Sequence, residues 1–95
     1  MVSSATPVTR AAVSAARAAI LDLLAARDAD KTICPSEAAH AIGGAAWRDA
    51  MPAAHAAARA LVAEGLVELR QGGARRDPDA IIGAYRIART PSAQP

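Results

Sequence analysis

Residues 61–71, with the sequence LVAEGLVELRQ, decide the fold because the spacing of their apolar residues changes at Gly65. Up to Leu61, apolar residues recur at the three- and four-residue steps of a helix. After Gly65, apolar and charged residues alternate as they do in a strand: Val67, Glu68, Leu69 and Arg70. The stretch therefore predicts a helix that ends at Gly65 and a half-buried strand that follows it.

The segment before Gly65 predicts a third helix from about Trp47 to Glu64. Its expected core stripe steps by 4, 3, 4 and 3 residues: Trp47, Met51, Ala54, Ala58 and Leu61. Pro52 leaves two alternatives, because a proline either belongs near the start of a helix, here after a short turn over residues 47–51, or kinks a longer helix.

Two further helices are predicted before it. The first is capped near residues 6–9 and runs to about Arg27, with apolar residues at helical spacing. The second is short, begins at Pro35 and ends at the Gly43-Gly44 pair. Between them, Thr32-Ile33 favours an extended segment.

The segment after Gly65 predicts a hairpin. Residues 84–89 alternate again, with Tyr85 and Ile87 inward and Arg86 outward. Residues 71–83 contain the Gly and Asp-Pro pairs of turns, so we expect them to form the connecting loop.

The order of elements predicts an α+β, mostly helical domain of the winged helix-turn-helix type: three helices plus a small antiparallel sheet with one β-hairpin wing. We expect this domain over residues 9–89, with a flexible N-terminus over 1–8 and a flexible C-terminus over 90–95.

Several short motifs in order resemble a family of small bacterial proteins catalogued as a domain of unknown function. The likeness covers roughly residues 10–89 and is carried by TICPSE at 32–37, WR at 47–48, MP at 51–52, EG at 64–65, QG at 71–72, DP at 77–78 and the segment 83–87. The resemblance implies a winged helix and no particular activity. This chain departs from the pattern at His55, where arginine is expected, and at Gly83-Ala84-Tyr85-Arg86.

Composition sets limits on compartment and partners. The 95 residues suit one domain, and the net charge of +2 gives only a weak preference for polyanions. The single cysteine, Cys34, excludes an intrachain disulfide and suits a reducing compartment. No apolar stretch is long enough to span a membrane, and no signal peptide is recognisable, so we expect a cytoplasmic protein.

The third helix is the first candidate for nucleic-acid contact. Arg48, His55 and Arg59 share one stripe, about 100° from the expected core stripe, and such a stripe could face phosphates or base edges. An ordinary solvated helix face is an equally good interpretation.

The predicted wing is the second candidate. Arg70, Arg75 and Arg76 lie within seven positions, with Arg86 and Arg89 on the returning strand, and the glycine-flanked loop suits contact with a phosphate backbone or a minor groove. The alternative is a charged edge strand that prevents aggregation.

No catalytic or metal-binding pattern is recognisable, so we expect no enzyme activity, metal or cofactor. Cys34 is expected to be a small buried residue at a helix start rather than a nucleophile. Spacings among Cys34, His40 and His55 match no zinc pattern. Trp47 is expected in the core, although an exposed tryptophan could also stack on a base.

The function predicted from these residues is binding of duplex DNA through the third helix and the wing. The alternative is a protein–protein interaction module without a nucleic-acid partner. We expect a monomer or a weak homodimer that pairs through the first helix.

Overall fold

A computed structural model describes residues 8–28 and 30–90. In chain order the elements are α1 (Arg10–Ala25), β1 (Thr32–Ile33), α2 (Pro35–Gly43), a 3-10 turn (Gly44–Ala46), α3 (Trp47–Ala63), β2 (Val67–Gln71), β3 (Ala74–Arg76), a second 3-10 turn (Pro78–Ala80) and β4 (Arg86–Arg89). The expectation of a mostly helical α+β chain with a small antiparallel sheet is confirmed. None of the helices in these two ranges is long and apolar enough to cross a membrane.

Local sequence signals fix the starts of α1 and α2. Thr9 caps α1, since its Oγ1 accepts a hydrogen bond of 3.0 Å from the amide of Ala12. At α2, Pro35 occupies the first turn, and the Glu37 carboxylate accepts a 2.7 Å hydrogen bond from the amide of Cys34. α1 ends at Ala25, slightly earlier than the Arg27 expected from the sequence.

The sheet has the strand order β1-β4-β2-β3, and every neighbouring pair is antiparallel. The predicted pairing of β2 with the returning strand is therefore confirmed. The prediction of residues 71–83 as loop is wrong in part, because residues 74–76 form β3 and pair with the end of β2. A chain reversal at Gly72-Gly73 permits this, since both glycines have the positive φ that a two-residue hairpin turn needs.

α3 contributes a buried stripe of small residues. Its fully covered side chains are Ala50, Ala53, Ala54, Ala57, Ala58 and Leu61. Trp47 and Met51, expected in this stripe, are only half-buried, so the stripe is turned slightly from the predicted one. Pro52 lies inside the helix, which begins before it at Trp47, so the alternative in which the helix starts near Pro52 is wrong.

The remaining core comes from α1 and the sheet. Ile20 and Leu24 of α1 pack with Ile33, Val67 and Ile87. Apolar burial of this kind is the main favourable term in folding. Glu68, expected to point into solvent, is instead 8% exposed, so β2 does not show the predicted alternation of burial.

The end of the described chain is tied back to the α3–β2 junction. Thr90 is buried, and its Oγ1 donates a 2.7 Å hydrogen bond to the carbonyl of Gly65. The flexible ends expected from the sequence otherwise fall on residues 1–7 and 91–95, which lie outside the described ranges.

Candidate nucleic-acid interface

Three arginines lie in a row across the sheet. Arg70 of β2 is directly opposite Arg75 of β3 and directly opposite Arg86 of β4. Residues directly opposite one another share a sheet face, and neighbouring strands are about 4.8 Å apart, so the row spans roughly 10 Å. Like charges in such positions repel one another, so the row does not itself stabilise the sheet.

The arginines of the row differ in the contacts that they make. Arg70 Nε donates a 2.8 Å hydrogen bond to the Glu68 carboxylate, which is mostly buried. Arg86 Nε donates to Thr32 Oγ1 at 3.0 Å and keeps its positive charge uncompensated by any carboxylate of the described ranges. Arg75 is exposed and forms no hydrogen bond or salt bridge through its side chain with the part of the chain that the structure describes.

Arg76 extends the charge to the other sheet face. It is opposite Leu69 in the register, one position along from Arg75, so the two adjacent arginines point to opposite faces. Like Arg75, it is exposed and has no carboxylate partner among residues 8–28 and 30–90. The edge strand therefore presents positive charge on both sides.

The α3 stripe is built differently, because the loop before β4 covers part of it. Arg59 forms a salt bridge with Asp79 and donates a 3.2 Å hydrogen bond to the carbonyl of Pro78. The hydrogen bond that Arg59 donates to the Asp79 carboxylate is the main cause that raises the pKa of Arg59, with the charge of Asp79 second. The Arg59 guanidinium is therefore engaged within the domain.

His55 is engaged with the same loop. Its Nδ1 lies 2.7 Å from the Tyr85 hydroxyl, and the two side chains share a hydrogen bond. Burial lowers the pKa of His55, and burial is also the main cause that raises the pKa of Tyr85 to about 12. His55 is therefore a neutral, half-buried packing residue at pH 7, and the structure does not place it on a free basic face.

A small cleft separates α3 from this loop. Its volume is about 240 Å³, and it is lined by His55, Arg59, Leu69, Pro78, Ile81, Gly83 and Tyr85. The polar side chains that line the cleft, His55 and Arg59, already bond to residues of the loop, so the cleft is part of the contact between the loop and α3. The sequence gives no signal for the contact between His55 and Tyr85, which are 30 positions apart.

Arg48 is the residue of the predicted α3 stripe whose side chain forms no hydrogen bond or salt bridge with the described part of the chain. Its guanidinium carbon lies 4.6 Å from the centre of the Trp47 ring, at cation–π distance. Trp47 also stacks on His40, with ring centres 4.4 Å apart. The tryptophan thus joins the end of α2 to the start of α3, and Arg48 lies exposed at that junction.

The remaining candidates for chemistry do not converge. Cys34 is half-buried at the start of α2, where its sulfur accepts a 3.1 Å hydrogen bond from Ser36 Oγ. Within the described ranges, no three His, Cys, Asp or Glu side chains are grouped closely enough to hold a metal ion.

These features define a small α+β domain with two adjacent exposed arginines, Arg75 and Arg76, on a sheet edge, neither of which forms a salt bridge with residues 8–28 or 30–90. The chain belongs to the family described as "Protein of unknown function (DUF3253)", whose model matches residues 13–90. This match confirms the resemblance inferred from the short motifs. A comparison with curated proteins gave no match.

Proposed function

We propose that this chain is a winged-helix domain that binds duplex DNA, chiefly through arginines of its sheet. The element order supports the fold assignment, because a short strand separates α1 from α2 and the sheet follows α3. The sheet order supports it too, since β4 lies between β1 and β2. The wing is then the connection from β2 to β4, over residues 72–85.

One observation carries the DNA assignment: Arg75 and Arg76 are exposed on an edge strand without any carboxylate partner in the described structure. Other arginines are compensated, since Arg17, Arg27, Arg59 and Arg70 each form a salt bridge. Within the described residues Arg10, Arg48, Arg86 and Arg89 also form no salt bridge, so Arg75 and Arg76 are distinguished by lying next to each other on one exposed edge strand. A polyanion responds to such local charge more than to the total.

The arrangement favours contact with phosphates over recognition of base sequence. Arg70, Arg75 and Arg86 lie on one sheet face at directly opposite positions, which suits contact with several phosphates, and phosphate contacts carry no sequence information. Arg48 at the start of α3 is the accessible residue for a major-groove contact. His55 and Arg59 act as positioning residues, since they hold the loop before β4 against α3.

The same proposal assigns binding and no catalysis to the domain. The two most plausible reactive side chains, Cys34 and His55, lie in separate contacts, with Ser36 and Tyr85 respectively. Cys34 contacts a hydroxyl and no base. His55 does bond to the Tyr85 hydroxyl, but burial raises the pKa of Tyr85 to about 12, so this pair is not set up to activate a nucleophile.

A salt titration of binding to a 20-base-pair duplex tests the proposal. Each phosphate contact adds about −0.9 to the slope of log K against log salt, so Arg75→Ala/Arg76→Ala is expected to reduce the slope by about 2 and to weaken binding at least tenfold. The matched control is Arg10→Ala/Lys31→Ala. It removes the same charge from exposed positions, and Lys31 adjoins β1 at the opposite edge of the sheet. Equal losses in both variants, or no binding by the unaltered protein at 50 mM salt, would refute the proposal.

A second candidate function is protein–protein interaction, and one observation favours it. α1, α2 and α3 border an apolar cleft of about 220 Å³, lined by Ala12, Ala15, Ile42, Gly43, Ala46, Ala50 and Ala53. Small residues allow close approach of another helix, such as α1 of a second copy. Sedimentation over a range of concentrations tests this: a dimer that Ala15→Glu abolishes supports it, and a monomer at high concentration contradicts it.

A further inference from the structure

One large apolar side chain on the wing has almost no contact with the rest of the domain. Ile82 is 90% exposed, whereas the adjacent Ile81 is half-buried against the core. Burial of an isoleucine side chain favours folding, so this exposure forgoes stabilisation. Single exposed apolar residues are common on proteins, so the surroundings of Ile82 decide what it means.

The backbone around Ile82 is held in place by a glutamine. The Nε2 of Gln71, at the end of β2, donates hydrogen bonds to the carbonyls of Ile82, at 2.7 Å, and Ala84, at 2.9 Å. Gly83 lies between these two residues with a φ of +84°, which a side chain would strain. These hydrogen bonds fix the turn to the sheet and hold the backbone of Ile82 in place.

The hydrogen bonds from Gln71 also place the turn beside the arginine row. Gln71 directly follows Arg70, the central member of the row, and Arg86 begins the strand that leaves the turn. On its other side, the turn is seated on α3 through Tyr85 and His55. An apolar residue is therefore held close to the ends of the strands that carry the arginine row, which the proposed function assigns to DNA.

We infer that Ile82 is a wedge that inserts between base pairs in the minor groove of duplex DNA. The inference rests on the proposed function. Proteins that bend DNA from the minor groove insert apolar side chains at base steps, and arginines on nearby phosphates hold the bent duplex. A branched aliphatic side chain on a fixed turn suits that role, because it loses little rotamer freedom on insertion and has no polar atom to desolvate.

The test combines affinity with a direct measure of bending. The probe is a 20-base-pair duplex with a central TA step, which is easily unstacked, carrying a donor and an acceptor dye at its two ends. The unaltered protein is expected to increase energy transfer on binding. Ile82→Ala is expected to abolish the increase and to weaken binding about tenfold, with an unchanged salt slope, because burial of one aliphatic side chain is partly offset by the cost of unstacking.

Two control variants separate this role from general effects. Ile82→Leu keeps an aliphatic group of the same size and is expected to retain bending. Val8→Ala truncates another exposed aliphatic residue, 53% exposed and placed before α1, and is expected to change nothing. Because Ile82 is already exposed, its truncation leaves the core intact.

The outcomes distinguish the two proposals. Unchanged affinity and bending in Ile82→Ala, with binding still lost in Arg75→Ala/Arg76→Ala, would overturn the wedge and leave DNA binding in place. Absence of any binding by the unaltered protein would overturn both. Self-association without DNA that Ile82→Ala abolishes would also overturn the wedge, because it would assign the residue to a protein interface.

Discussion

The arginines of α3 and the arginines of the sheet differ in what lies opposite them. Arg59 on α3 faces the loop before β4 and pairs with Asp79, and its neighbour His55 bonds to Tyr85. Arg75 on the sheet edge faces solvent, and the residue opposite it in the register is another arginine. The sequence gives no way to tell these two groups of arginines apart. Their positions in the fold decide which of them form salt bridges.

This difference explains how a small domain with a charge of only +2 can present a basic surface. Carboxylates pair with arginines between elements, as Glu64 does with Arg17 of α1, whereas Arg75 and Arg76 of the hairpin form no salt bridge within the described residues. Exposed salt bridges contribute little to stability, so the effect of this pattern on the surface potential is larger than its effect on folding.

Charge reversal at the hairpin is expected to give the largest loss of duplex affinity. Arg75→Glu places a carboxylate opposite Arg70 and against the DNA phosphates, and like-charge contact at an interface costs several kcal/mol. We expect duplex affinity to fall on the order of 100-fold, measured by fluorescence anisotropy at 50 mM salt. A loss of less than about threefold would show that the hairpin does not contact DNA.

The packing of the loop on α3 is tested by titrating Tyr85, the only tyrosine of the chain. Burial raises the pKa of Tyr85 to about 12, so the phenolate absorbance at 295 nm is expected to appear near pH 12 in the native protein. Since this pKa lies above its unfolded value of about 10, the stabilisation is complete below pH 10 and is lost as the pH rises through 12. A native midpoint near pH 10 would contradict a loop seated on His55.

Removal of the Glu68 carboxylate, which bonds to Arg70 of the row, is expected to strengthen DNA binding. Glu68→Gln releases Arg70 from its salt bridge and is expected to increase duplex affinity about threefold. Glu64→Gln is the matched control, because it removes the same charge beside Arg17, away from the sheet. Equal gains in the two variants would show that only net charge matters.

The smallest effect is expected at Arg59. Arg59→Gln breaks the salt bridge with Asp79, and we expect the amides of Asp79 and Ala80 to exchange with solvent faster, because the turn that carries them is less restrained. Duplex affinity should change by less than about twofold, since Arg59 already has a partner within the domain. A loss comparable to that of Arg75→Glu would place α3 at the interface instead.

Much of the fold was predictable because it depends on local signals. The helix caps at Thr9 and Pro35, the glycines that end α2 and α3, and the change of spacing at Gly65 all act within a few residues. β3 was missed because its three residues have no alternating pattern. Its pairing follows from the Gly72-Gly73 turn and not from its side chains.

The site was predictable only as a set of arginines. Arg70, Arg75, Arg76 and Arg86 were noted in the sequence, and the register shows that Arg70, Arg75 and Arg86 share one sheet face whereas Arg76 lies on the other. His55 is held by Tyr85, and nothing within either residue's own segment indicates that contact. Contacts between distant segments are set by how the elements pack, which periodicity does not specify.

The backbone amides whose signals shift when the 20-base-pair duplex is added test whether the arginines of the sheet contact DNA. With ¹⁵N-labelled protein at 50 mM salt, we predict the largest shifts at residues 70–76 and 82–86, with smaller shifts at the start of α3 around Arg48. Shifts confined to α1, or none at saturating duplex, would contradict an interface built on the arginines of the sheet.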